Sequence, residues 1–537
     1  MTKPLSDSPG SWQQSTIRRL LKWLFSWRTA RRALIGLACL MTMWALFCTE
    51  ENIRGQRAWD KYRRELEARG EQMDYKTFIP KPIPDEQNFA ATPLIKSWFV
   101  RSNNVYLSSD YWRNDIYGLS EANIADGQPK GDSGSRRFVD LAAWGTAFDA
   151  IRAGTFTKGR KVAAGKLDRE SRAEAAPLVL AALKTNEPVF AELRAASQRP
   201  FARYPINWDV EDPFSILLPH LNNVRAVCRR LRLKACAELA AGHSDEALDD
   251  VKLMLRLADS LREEPFLISY LVRVACLQIA TEPVWEGLAE HRWSDAQLQE
   301  LQARLQSCDF VTDVKHPYEV ERAAGIVTAD LVRKYGPGYL ISMAGSGSPP
   351  SSEAPAAKWL GVFLPTSGWL YFEQVNVYRG YQSLLDGTID SSQRRVFPER
   401  TEANTHDFER GLAAGKLGLF IHHRILASLL LPALNRIIVK VAVGQTIADQ
   451  PAIACAVERY RLANGQFPQN LEELVPTYIT PLPHDVITGE PYKYRLTKDG
   501  QCVFYSVGWN QKDDGGVPGK NLFDEKEGDW VWQYPPL

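Results

Sequence analysis

Acidic side chains gather around glycines near residues 510–529, where Asn510, Asp513, Asp514, Asp524, Glu527 and Asp529 flank Gly515, Gly516, Gly519 and Gly528. Hard oxygen donors on a flexible loop suit a cation with about six to eight ligands, and Asn510, Asp513, Asp514 and Asp529 are the candidate calcium ligands. The competing reading is an acidic surface loop closed by its own turns, because the spacing is not that of an EF-hand.

Other motifs carry less. Gly131-Asp132-Ser133-Gly134 imitates the nucleophile loop of a serine protease, but that chemistry needs a general-base histidine and the first in the chain is His220. Residues 159–166 (GRKVAAGK) miss the phosphate-loop pattern by one residue and continue with Leu167 where a magnesium-binding hydroxyl belongs. His422 and His423 are adjacent and point about 100° apart on a helix, so they cannot share a metal as an i, i+4 pair does. His220, His316 and His484 adjoin Pro or Asp and have no motif. Glu263-Glu264 and Asp249-Asp250 read as solvated helix faces. No catalytic residue and no organic cofactor is assigned. A hydrolase reading would need His220 or His316 beside buried carboxylates.

The eight cysteines form no CxxC pair, which argues against zinc ribbons and thioredoxin-type redox motifs. Cys228 and Cys236 are eight residues apart, about 12 Å along a helix and too far to bridge. Sixty-five basic residues against sixty-four acidic ones leave a net charge of +1. That balance gives no field for nucleic acid.

These groups need elements to hold them. Residues 1–32 are basic, and 17–27 (IRRLLKWLFSW) interleave cations with apolar groups as an interfacial helix does. Residues 33–48 are uncharged and with Thr49 predict a transmembrane helix at 33–49, shorter than the ~20 residues usual for a span but extended by snorkelling arginines. A cleaved signal peptide is the rival, and bulky Trp44 and Phe47 stand against its small-residue cleavage site. The positive-inside rule then places the N-terminus in the cytoplasm and the bulk in the periplasm of a bacterial inner membrane.

Residues 50–99 read as a charged helix followed by a connector stiffened by Pro80, Pro82, Pro84 and Pro93. Residues 100–342 read as mostly helical, with a helical hairpin that turns at Gly242-His243-Ser244 and a capping box at Ser294. Ala241-Gly242 with Glu246-Ala247-Leu248 resembles the turn of a tetratricopeptide repeat, a TPR-like feature without a clear second copy. Arg273 and Gln278 make 266–280 a buried helix rather than a second span. Residues 343–357 are a linker, and 358–416 an aromatic-rich connecting region. From 417 a long buried helix leads into a small α+β domain ending at 537. The fold class is therefore mainly α, with a small α+β C-terminal domain.

In that last domain a helix ends at Tyr460-Arg461-Leu462-Ala463-Asn464-Gly465, followed by Phe467-Pro468, a short run at 471–475, Tyr505-Ser506-Val507-Gly508 and Asp513-Asp514-Gly515-Gly516. Together with Leu431-Pro432-Ala433-Leu434, these resemble the major pseudopilin of type II secretion over residues 430–532. The resemblance implies a helix followed by a small antiparallel sheet and a calcium-binding loop. This chain lacks the pseudopilin peptidase signature, and Asn510 replaces the family's usual aspartate. The remainder is similar to large membrane proteins of planctomycete and verrucomicrobial type, a likeness that implies no activity. The function expected is a membrane-anchored binding or scaffold protein with protein partners. Its alternatives are a component of a type II secretion or pilus-like system, and a hydrolase with its site in the helical region.

Overall fold

The computed structural model describes residues 26–102, 105–106, 136–155, 162–336, 339, 367–413, 415–434 and 436–534. The protease-like motif at 131–134, the start of the 159–166 motif, the linker 343–357 and most of the basic leader lie outside the described residues. The chain divides into two compact units. One holds Met1–Glu71 and Ala329–Asn376, the other Gln72–Thr328 and Val377–Leu537.

The first unit is built on α1 (Trp27–Ala68), 42 residues without a break. Ser26 caps it, its hydroxyl accepting the Thr29 N–H at 3.3 Å. The expected span and the charged helix after it are thus one element, about 63 Å long. Among the described residues none covers its apolar run, whereas Glu51, Gly55 and Trp59, four residues apart, are buried on one face. The Gly368 N–H donates to the Asn52 side-chain oxygen at 2.6 Å. Gly368 opens α10 (Ser367–Leu385), whose first turns pack in this unit against the end of α9 (Lys315–Tyr335). There Arg333 lies 4.0 Å from the Tyr371 ring centroid, and Gln374 donates to Asp330 at 2.9 Å. Higher numbers on one helix meet lower numbers on the other, so the two run antiparallel.

The second unit begins with short 3-10 turns at Tyr75–Phe78, Asp85–Gln87 and Phe89–Ala91, so the proline-rich connector is only partly extended. Two-residue strands β1 (Arg101–Ser102) and β2 (Val105–Tyr106) pair antiparallel. Helices α2 (Leu141–Arg152), α3 (Arg169–Leu183), α4 (Glu187–Ser197), α5 (Pro219–Ala241), α6 (Ser244–Asp259), α7 (Leu267–Ala289) and α8 (Asp295–Gln306) follow. The expected hairpin is α5–α6, turned by Gly242 in the left-handed region at φ 88°. α7 packs on both, α3 lies on α5, and α2 on α3. The Ser294 capping box is present with both of its hydrogen bonds.

β3 (Ile389–Asp390) pairs with β4 (Arg395–Val396) before α11 (Pro398–Leu412). The single helix expected over 417–444 is not formed. It is replaced by Gly415–Ile421, Ile425–Leu430, a 3-10 turn at Pro432–Leu434 and then α12 (Ile437–Asn464). His423 adopts φ 53°, outside the helical region, and Pro432 has no N–H to give.

Apart from Lys440, α12 is buried from Ile437 to Glu458, packed between α7 and α8. A helix covered on nearly every side belongs in a core. Residues Val377–Leu537 fall in the same compact unit as Gln72–Thr328. β5 (Lys493–Leu496), β6 (Cys502–Ser506) and β7 (Trp530–Gln533) form an antiparallel sheet with β6 in the middle. Asn464-Gly465 ends α12 with Gly465 at φ 74°. The run at 471–475 forms a 3-10 turn capped by Asn470. The architecture is mainly helical with a small sheet.

Candidate functional site: a bare helix face and an arginine-lined cavity

Among the described residues two helices are long and apolar enough to cross a membrane, and burial separates them. The apolar window of α7 is 67% buried in protein, while that of α1 is 0% buried. Leu34, Leu40, Met43 and Leu46 all stand more than half exposed on α1. An isolated apolar face of this extent marks a surface that meets something other than water.

The candidate calcium ligands lie on the loop between β6 and β7, and their oxygens meet the loop's own N–H groups, the Tyr505 hydroxyl and the Lys512 ammonium. Asp513 Oδ1 accepts from the Tyr505 hydroxyl and the Gly515 N–H, both at 3.0 Å. Asp529, fully buried, accepts the Gly516 N–H at 2.7 Å and the Asp514 N–H at 3.3 Å. Burial pushes the Asp529 carboxyl up, and those N–H groups oppose the shift. Asn510 accepts the Lys512 N–H, while Asp514 pairs with the Lys512 ammonium at 2.7 Å, which holds its carboxyl low. Asp524 caps Lys526 and Glu527 pairs with Lys520. Among the described residues no group of three or more His, Cys, Asp or Glu is placed to hold a metal ion.

His220 does lie beside a buried carboxylate. Its Nε2 is 2.7 Å from Glu264 Oε1, and Ser269 donates to the other oxygen at 2.5 Å. The imidazole is fully buried, stacked between Tyr204 at 4.2 Å and Phe99 at 5.3 Å between ring centroids. The 2.7 Å approach is out of line for a good hydrogen bond, and among the described residues Nδ1 has no partner. The pair lies in the interior, with His220 fully buried and Glu264 6% exposed. His316 is exposed and lies by Phe78, His423 holds the left-handed turn, and His484 lies 2.9 Å from the Gln393 carbonyl. Asp250 is no solvated face: it is buried between Arg194 and Lys234, the latter at 2.9 Å.

A cavity of about 170 Å³ opens where α6, α7 and α8 converge, lined by Arg256, Arg262, Arg273, Arg304, Asp259 and Cys308 among others. Arg256 and Arg304 stand in the last turns of α6 and α8, where helix dipoles favour cations. Arg273 is only 3% exposed and donates to Asp313 at 2.6 Å. Arg262 reaches the other oxygen of Asp313 at 3.1 Å. Four arginines thus face four carboxylates, Asp259, Glu263, Asp313 and Glu300, and Glu300 is shared with Lys252 at 3.1 Å. Nη1 of Arg262, Nη2 of Arg273 and Nη1 of Arg304 make no hydrogen bond among the described residues. The surplus of donors suits an oxyanion.

Sequence spacing could not find this cavity, because its arginines are spread over three helices and a turn. The one signal was Arg273 inside an apolar run. Comparison with known proteins returns no matching family model, no matching curated protein and no matching solved structure.

Proposed function

We propose that the chain is a membrane-anchored binding protein: α1 holds it in a bilayer, and the arginine-lined cavity takes a compact anionic group of a ligand or partner. The bare apolar window of α1 carries this reading, because that face carries no charge and is covered by none of the described residues. The basic leader favours a cytoplasmic N-terminus with the body on the periplasmic side. At about 170 Å³ the cavity is below the ~300 Å³ at which drug-sized ligands are enclosed, which limits it to a phosphate or carboxylate group. Arginine forks match either oxyanion.

Carbonate extraction of membranes from cells expressing the full chain should leave it in the pellet. Protease added to spheroplasts should digest the body. A body released by carbonate, or one untouched by protease, would overturn the anchor or its orientation respectively. Titration of the purified protein with inorganic phosphate and with acetate should show binding that Arg262→Gln and Arg304→Gln each weaken several-fold. Equal binding by both variants would remove the cavity from the reading.

The pseudopilin resemblance supports a second reading, a component of a type II secretion or pilus-like system. It is favoured by a helix that ends at Asn464-Gly465 and continues into a three-stranded antiparallel sheet. Affinity capture from detergent-solubilised membranes, with and without a calcium chelator, tests it.

A further inference from the structure

Given α1 as the span, the geometry of the first unit fixes the depth of two other helix ends. The apolar run stops at Thr49, and Asn52 lies three residues on, about 4.5 Å along the axis. The bilayer's headgroup layer is about 5–8 Å deep on each face, the difference between its total and hydrocarbon thickness. Asn52 therefore stands at headgroup level, and tilt of the helix only lowers it.

Gly368 is held at that level from two sides. Its N–H is bonded to the Asn52 side chain, and a Cβ added to it would come 2.2 Å from the Glu51 carbonyl oxygen. The start of α10 is thus fixed at the bilayer surface. The end of α9 follows by register. Asp330 meets Gln374 and Arg333 meets Tyr371, so the antiparallel pairing brings Gly336, where α9 stops at φ 80°, opposite Gly368.

The side chains at this level are of the kind found at membrane–water boundaries. Tyr335 is 52% exposed, stacks on Tyr339 and lies under the Lys334 ammonium at 5.0 Å. Arg333 covers Tyr371 while paired with Asp330 at 2.7 Å, and Arg54 lies 5.4 Å from the Phe372 ring centroid while paired with Glu51 at 3.3 Å. Amphipathic rings with cations over them bury apolar faces toward acyl chains while the charges reach phosphates.

We infer that Tyr335, Tyr371 and Phe372, with Arg54, Arg333 and Lys334, form an interfacial collar that contacts lipid headgroups beside the span. The inference rests on the membrane-anchor reading. It adds a second lipid contact, made by α9 and α10, that a single span does not by itself require.

The test uses the full chain in vesicles of phosphatidylcholine and phosphatidylglycerol, with the photocrosslinker p-benzoylphenylalanine placed singly at residues 40, 335 and 69. Residue 40 lies in the run and residue 69 about 30 Å beyond Thr49. After irradiation, lipid adducts are read by mass spectrometry. The expected result is adducts at 335 within a few-fold of those at 40, and none at 69. Adducts at 40 but not at 335 would overturn the collar while leaving the anchor intact. No adducts at 40 would overturn the anchor and the collar with it. The replacement at 335 is of similar shape at a half-exposed site, and circular dichroism of each protein confirms that it folds.

Discussion

The Asp449 carboxylate lies 3.7 Å from the Arg394 guanidinium, and burial still outweighs that attraction, pushing the Asp449 carboxyl up to about 7. Gln445 donates to it at 2.9 Å, and Asp309 and Asp485 add repulsion. The native state therefore holds a proton between about pH 4 and 7 that the unfolded chain has lost. Stability from this residue falls as pH rises through that window. Asp449→Asn keeps the acceptor for Gln445 and removes the charge. Urea unfolding should show the variant's gain on wild type rising between pH 5 and pH 8 by about 1–3 kcal/mol.

Gly55 and Gly368 leave no room for a side chain, since a Cβ on Gly55 would come 2.2 Å from the Gly368 carbonyl oxygen. Either Gly→Ala substitution forces backbone apart and should cost about 1–3 kcal/mol. Gly36 has nothing within 4 Å of an added Cβ, and Gly36→Ala should be neutral. Thermal unfolding and limited proteolysis in detergent compare the three.

The loop between β6 and β7 is closed by its own hydrogen bonds, with buried Asp529 accepting two N–H groups. Asp529→Ala leaves both unsatisfied and should cost about 1–3 kcal/mol. Melting in millimolar calcium and in chelator should coincide. A rise with calcium that Asp513→Asn abolishes would instead demonstrate the ion site implied by the pseudopilin resemblance.

Cys308 lines the arginine cavity, and burial pushes its thiol up to about 11, against the pull of Arg273. Alkylation by iodoacetamide near neutral pH should be slow and should accelerate about tenfold per pH unit, because the thiolate is the nucleophile. Phosphate bound in the cavity should slow it further. Peptide mass spectrometry of Cys308 measures both effects.

Local chemistry in the sequence was sufficient for the turns and caps. Gly242, Ser294 and Asn464-Gly465 each specify their own geometry within a few residues, and each forms the turn or cap expected of it. The break of the 417–444 stretch at His423 was not legible, because a histidine in the left-handed region is set by its surroundings and has no sequence signature. Nor was the enclosure of His220, which depends on Phe99 and Tyr204 closing over it from distant positions. The arginine cavity escaped for the same reason, since convergence in space leaves no spacing to read.

The indole N–H of Trp285 donates to the carbonyl of Gln533 at 2.9 Å, a partner 248 residues further along the chain. Gln450 likewise donates to the Trp530 carbonyl at 2.7 Å. A ribosome delivers α7 long before it delivers β7, so the interior helices must wait, incompletely covered, until that strand arrives. That interval covers a little under half of the chain, during which the exposed helix faces are open to aggregation.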